Sequence, residues 1–154
     1  MAVRICRAER SGDFQRFHAL LKAYEGGLPA DLRHGVVPDV EAVCGAYAGP
    51  NAAFLAMDEG DAVGCIAVTQ LDASTALMLR LFVKETHRGA GIARDLVSVA
   101  LEFLREHRFA RVVLDTDKQR LSAAYQLYQS LGFHECEPYG AVDYESPTYM
   151  ELML

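Results

Sequence analysis

The chain has 154 residues and a formal net charge of −6, and its composition is 51% hydrophobic and 23% charged. This suits one folded domain, expected over residues 1–154, and argues against disorder. The acidic balance offers no electrostatic footprint for nucleic acid or an anionic membrane, and no apolar run nears the ~20 residues that span a bilayer.

Hydrophobic periodicity gives the elements in chain order. Val3 to Ala8 alternates apolar residues with arginine, as an outer strand does. Arg4 and Arg7 break the apolar N-terminus, so no secretory leader is expected and a cytoplasmic location follows. Phe14, Phe17, Leu20, Leu21 and Tyr24 recur at helical spacing, with Ser11 or Asp13 available as N-cap and Gly26-Gly27 as the stop. A Gly- and Pro-containing loop runs to Pro38. A second short helix is expected from Asp39, with Val40, Val43, Cys44 and Tyr47 on one face. Strands then follow at Ala52 to Met57, Ala62 to Leu71 and Thr75 to Val83. The turn Asp58-Glu59-Gly60-Asp61 makes the first pair a hairpin, and the three form an antiparallel meander.

The pattern next changes to strand–helix alternation. Gly91 to His107 is an amphipathic helix with Ile92, Leu96, Val99 and Phe103 inward. Arg111 to Asp115 is a short buried strand. Gln119 to Leu131 is a helix with Ala124, Leu127, Tyr128 and Leu131 on one stripe, and Gly132 stands at C′. Phe133 to Glu137 and Thr148 to Leu154 close the fold as strands. The predicted class is α+β, a mixed and mostly antiparallel sheet flanked by helices.

Cys6, Cys44, Cys65 and Cys136 form no C-x-x-C pair, so reduced thiols are expected rather than a zinc or redox motif. His18, His34, His87, His107 and His134 show no H-E-x-x-H spacing. His134-Glu135-Cys136-Glu137 resembles a ligand set, but neighbouring strand residues face opposite ways, so no metal site is expected. Asp115 and Asp117 read as a strand end and a helix cap.

The informative stretch is Leu79-Arg80-Leu81-Phe82-Val83-Lys84-Glu85-Thr86-His87-Arg88-Gly89-Ala90-Gly91-Ile92-Ala93-Arg94. A buried strand enters a short loop of small residues that opens a long helix. Free N–H groups and the macrodipole make such a helix start attractive to phosphate. Glycine lets the phosphate approach, and Arg88 and Arg94 flank it with charge. A diphosphate site is therefore expected, against the plainer reading of a tight strand-to-helix turn. A P-loop string is absent, and G-x-G-x-x-G fails at Arg94 and follows a meander rather than a βαβ start. What remains is R-x-x-G-x-A over Arg88-Gly89-Ala90-Gly91-Ile92-Ala93.

This segment resembles the coenzyme A pyrophosphate motif, Q/R-x-x-G-x-G/A, of the GNAT superfamily of N-acetyltransferases. Downstream, Ala124-Tyr125-Gln126-Leu127-Tyr128-Gln129-Ser130-Leu131-Gly132-Phe133 is similar to that family's A-x-x-L-Y-x-x-L-G-F signature. The order and separation of the two also match.

The resemblance implies a GNAT fold and an acetyl-CoA-dependent N-acetyltransferase working by direct attack in a ternary complex. It implies that Leu81, Phe82 and Val83 pair with the pantetheine arm, a backbone N–H near Phe82 or Val83 polarising the thioester. The N–H groups of Arg88, Gly89, Ala90, Gly91, Ile92 and Ala93 would hold the pyrophosphate, and Arg94 would add charge. Tyr128, otherwise a core aromatic, maps onto the tyrosine that protonates the departing thiolate. Two positions depart from the family. Leu77 stands where many relatives carry a basic glutamate, leaving water, Glu25 or Glu41 as proton acceptor. Leu121 stands where relatives often carry asparagine, with Ser122 as a substitute contact.

The acceptor, a small-molecule or protein amine, is expected near Tyr24, Glu25, Tyr139, Tyr144 and Glu145. Relatives are often homodimers, and no interface is legible here. The missing glutamate also motivates an alternative, a non-catalytic acyl-CoA binding or sensing domain. A third is a nucleotide- or NAD-binding fold using the same loop.

Overall fold

Apolar alternation along three successive strands produces a meander that helices cover on both faces. The computed structural model describes residues 3–33, 37–140, 142, 144 and 146–154. Within them the strands are β1 (Val3–Arg7), β2 (Ala52–Asp58), β3 (Asp61–Gln70), β4 (Thr75–Val83), β5 (Arg111–Thr116), β6 (His134–Glu135) and β7 (Thr148–Met153). The helices are α1 (Ser11–Gly27), α2 (Val40–Ala46), α3 (Ile92–Glu106) and α4 (Ser122–Ser130). One sheet runs β1-β2-β3-β4-β5-β7-β6, antiparallel except between β4 and β5. That parallel pair follows from the α3 crossover, which returns the chain in the same direction. The expected mixed, mostly antiparallel α+β architecture is the one observed.

The pleat sorts residues into two layers. Phe54, Ile66, Val68 and Met78 face α3, where Leu96, Val97, Ala100 and Leu104 are fully buried. Ala53, Leu55, Cys65 and Ala67 face α1, meeting Phe14, Phe17, Leu20 and Leu21. Between β2 and β3 the two turn residues, Glu59 (φ 49°) and Gly60 (φ 92°), both take left-handed angles. Such a turn matches strand twist, which is why this hairpin was legible.

Several boundaries move for identifiable reasons. Asp13 sits in the first turn of α1 rather than at its cap, its carboxylate accepting from the N–H groups of Glu9 (3.1 Å) and Arg10 (3.2 Å). Asp39 caps α2 as expected, accepting from the Ala42 N–H at 2.9 Å, but Cys44 is exposed rather than on the buried face. Helix α4 starts at Ser122 rather than Gln119 because Asp117 takes the N–H groups of Gln119 (3.0 Å) and Arg120 (2.9 Å) into a turn first.

One glycine is required by close approach. A Cβ on Gly64 would stand 3.0 Å from the Phe82 carbonyl oxygen and 3.2 Å from Leu96 Cδ1, where β3, β4 and α3 converge. Gly64→Ala is expected to lower the unfolding free energy by about 1–3 kcal/mol through overpacking, read by urea denaturation. A loss below about 0.5 kcal/mol, typical of an unconstrained surface site, would contradict this packing.

Candidate active site

Strands β4 and β5 pair only at their starts. Thr75, Ala76 and Leu77 stand beside Arg111, Val112 and Val113, and the ladder then stops. Just beyond, β4 carries a bulge. Leu79 is opposite Ala67 and Phe82 is opposite Cys65, so Arg80 and Leu81 share one position of β3, and Arg80 takes φ 64°. The extra residue bends the strand. The end of β4 thus parts from β5, leaving its outer edge open.

A cleft of about 710 Å³ occupies that opening. Leu81, Phe82 and Val83 form one wall, while Ser122, Ala123, Ala124 and Leu127 of α4 form the other. Tyr24 and Leu28, from the end of α1 and the residue after it, face its other end. The glycine loop forms its floor.

In that loop Gly89 and Gly91 both have φ 81°, angles that disfavour any side chain. A Cβ on either would meet no protein atom within 4 Å, so the space above the loop is open. The Asp95 N–H is the first in α3 to reach a carbonyl in the helical manner, that of Gly91 at 3.1 Å. The N–H groups of Ile92, Ala93 and Arg94 are left at the open end. Lack of side chains, free donors and the positive end of the helix dipole together fit a diphosphate.

The expected residues are largely brought together. Arg88, Gly89, Gly91, Ile92, Ala93, Arg94 and Ser122 all line the cleft, whereas Ala90 does not. Both arginines are engaged: Arg88 Nε donates to the Val83 carbonyl at 3.0 Å, and Arg94 donates to Ser130 Oγ at 2.7 Å. They brace the loop against β4 and α4 as well as supplying charge. Leu121, the other departure from the family pattern, lines the cleft beside Ser122.

Tyr128 is 8% exposed, and its ring lies 5.6 Å from that of Phe133. It stands behind the α4 wall rather than on it. Burial, with Tyr24 and Asp115 adding to it, holds its phenol well above the ordinary range. The Tyr24 ring lies 5.9 Å from Phe82, and burial pushes its phenol up to about 12 against the lowering influence of Arg80. Both phenols therefore keep their protons at neutral pH. Tyr125, in contrast, points outward and donates to Glu135 at 2.7 Å.

Glu25 is buried inside α1's packed face, its carboxylate 3.4 Å from Arg80 Nη1. This corrects the expectation of a carboxylate standing in an acceptor pocket as a ready base, because the guanidinium holds it. Glu41 is exposed on α2 and away from the cleft lining. Glu145 and His34 lie outside the described residues.

Sequence reasoning passed over Asp115. It lies near the end of β5 as expected, and its carboxylate also accepts from the hydroxyls of Tyr139 (2.6 Å) and Tyr144 (2.9 Å). Burial foremost, and then this carboxylate, pushes both phenols up. Asp115 also acts electrostatically on Tyr24 and Tyr128, so it lies among four tyrosines at the open end of β5. Its strand-end position was the only sequence signal. Asp115, Tyr139 and Tyr144 are not among the residues lining the cleft, whereas two residues that do line it were missed. His87 Nε2 lies 2.9 Å from Asp58. Arg120 bridges Asp31 at 2.7 Å and Asp117 at 2.8 Å. Among the described residues no group of three His, Cys, Asp or Glu is placed to hold a metal ion, and no helix is long and apolar enough to cross a membrane.

Comparisons with known proteins agree with this geometry. A fold match to a Salmonella typhimurium protein solved with its cofactor acetyl-CoA has a TM-score of 0.81 at 18% identity, covering 99% of this chain and 94% of that one. Human N-acetyltransferase 8B is 40% identical over 85 residues, 52% of this chain and 37% of its own. Yeast N-alpha-acetyltransferase 30 is 32% identical over 94 residues, 54% of this chain and 52% of its own. The chain thus spans only about a third to a half of these two relatives. The sequence profile of the acetyltransferase (GNAT) family matches residues 17–133, and the chain belongs to that family.

Proposed function

We propose that the chain is an acetyl-CoA-dependent N-acetyltransferase that acetylates a primary amine, with residues 1–154 forming one catalytic domain. The observation that carries this reading is the unpaired end of β4 facing α4 across a cleft floored by the glycine loop. The edge of Leu81, Phe82 and Val83 that lacks a β5 partner can extend the sheet with an amide-bearing pantetheine arm, the way a peptide adds to a sheet edge, although the Val83 carbonyl already accepts from Arg88 Nε. The loop from Arg88 to Arg94 takes the pyrophosphate, and Ser122 with Leu121 flanks the arm. Acetyl-CoA, when bound, would supply an acetyl thioester toward the Tyr24 end of the cleft, with Tyr128 behind the α4 wall.

The chain's own groups then manage the protons. An alkylammonium with pKa near ~10.4 must lose a proton to attack. Asp115 attracts the ammonium, whose first proton leaves to solvent before attack because an ammonium has no lone pair. Asp115 then takes the second proton, which the nitrogen sheds once the C–N bond has formed. A direct carboxylate removes the motive for a purely coenzyme-sensing role, because the base missing from position 77 has a substitute on β5. Tyr128 gives its proton to the departing thiolate, and burial keeps the phenol neutral until that moment. Tyr24 and Tyr139 wall the acceptor side, and Glu25 supports it from behind. The two relatives, an N-acetyltransferase and an N-alpha-acetyltransferase by name, support an amine acceptor.

Steady-state thiol release with an amine panel tests the reading. Tyr128→Phe should lower kcat by ~10²–10⁴-fold with coenzyme A affinity unchanged; weakened affinity at constant kcat would refute the acid role. Asp115→Asn should reduce kcat/KM for the amine by about tenfold or more at unchanged coenzyme affinity, since one charged contact is worth ~1.5–3 kcal/mol. Because burial raises the Tyr128 pKa, its acid form persists as pH rises. The wild-type kcat should show no alkaline loss below about pH 10, the ordinary phenol value. An alkaline limb near neutrality that Tyr128→Phe abolishes would contradict this. Gly91→Ala should weaken coenzyme A binding in calorimetry, because its φ of 81° is strained for alanine; unchanged affinity would remove the loop from the site.

A further inference from the structure

Two unfavourable features coincide at one residue of β4. Arg80 adopts a left-handed backbone inside a strand, a conformation that strains any residue with a Cβ. Its guanidinium is drawn inward, its side chain 18% exposed and that of Glu25 9% exposed. Burying an ion pair costs desolvation, and an apolar pair of similar size would hold α1 to the sheet at least as well. Stability alone therefore does not explain the arrangement.

The surroundings converge on Arg80. The Cys65 thiol, which burial pushes up to about 12 and so keeps protonated, donates to the Arg80 carbonyl at 3.3 Å. The Tyr47 phenol, just after α2, is raised by burial against the lowering influence of Arg80, and Arg80 Nε is buried with no hydrogen-bond partner among the described residues. On α1, Glu25 extends the buried stripe of Phe14, Phe17 and Leu21 by one turn, ending an apolar face with a carboxylate. The residue beside it, Tyr24, faces the cleft and meets Phe82, two positions along β4 from Arg80. An apolar contact at this place would let α1 slide or rotate; a directional ion pair sets its register.

We propose that Arg80 and Glu25 are positioning residues that lock the last turn of α1 to the β4 bulge, holding the Tyr24 ring at the acceptor end of the cleft. This rests on the acetyl-transfer reading for its catalytic consequence, though not for its structural one. The contact itself joins α1 to β4, away from the glycine loop and α4, so its loss is expected at the acceptor end rather than at the pyrophosphate.

The test places 3-fluorotyrosine at position 24 and follows its ¹⁹F resonance with and without coenzyme A. The hosts are the parent chain, Glu25→Gln, Arg80→Gln, Arg80→Lys and the Glu25→Gln/Arg80→Gln double variant. Expected is a shifted or broadened resonance in both glutamine variants, no further change in the double variant, and largely parental behaviour in Arg80→Lys. Coenzyme A affinity should stay within about twofold, while kcat/KM for an active amine falls at least about tenfold, typical of losing a hydrogen bond to a charged group. An unmoved resonance in folded glutamine variants, or coenzyme affinity falling alongside, would overturn the proposal. If the parent acetylates no amine, the acetyl-transfer reading fails and the resonance still decides the positioning role. Arg80→Lys keeps the test intact should a glutamine variant not fold.

Discussion

Everything in the candidate site depends on β4 and β5 being allowed to pair for only three residues each. A parallel pair built by a helical crossover would ordinarily continue along both strands and close the sheet. Here the bulge at Arg80 and Leu81 bends β4, while β5 keeps its full ladder with β7 on the other side. The sheet therefore stays continuous at its base and opens toward the ends of these strands. An open strand edge is ordinarily a hazard, since it invites pairing with another chain. Here α4 and the glycine loop flank that edge, with a cleft of about 710 Å³ between them.

The electrostatics follow the same division. The chain carries a net charge of −6, yet Arg88, Arg94 and the start of α3 put positive potential on the floor of the cleft. The other end is different in kind. Asp115 holds two phenols by short hydrogen bonds, and buried Tyr24 and Tyr128 remain neutral. On the proposed reading, the positive floor suits an anionic coenzyme, and Asp115, which does not itself line the cleft, suits a cationic amine. Burial does most of the tuning at the tyrosine end, so substitutions that let water in would alter the chemistry without touching a reacting atom.

The meander, the hairpin and the glycine loop were legible because each rests on local rules. Alternation reports a half-buried strand, two positive-φ residues report a tight turn, and small residues before an amphipathic stretch report an open helix start. The helix that carries Tyr128 was legible through its motif, whereas the burial of that phenol behind the cleft wall was not. Arg80 was not: Thr75 to Val83 reads as one uninterrupted strand, and nothing in composition marks an arginine for a left-handed backbone. Asp115 looked like a strand end because the phenols that identify it lie 24 and 29 residues downstream. The start of α4 was misplaced because the Asp117 side chain competes for backbone N–H groups locally. What escaped the sequence is contact made across the fold, which no window of residues contains.

The central claim is that acetyl-CoA lies along the open edge of β4. Backbone amide chemical shifts during titration with acetyl-CoA address this directly. The account predicts saturable changes concentrated in Leu81–Val83, Arg88–Arg94 and Ser122–Leu127. Absence of change there, or changes gathered instead in the hollow formed by Arg111, His134 and Glu151 at the far edge of the sheet, would contradict it.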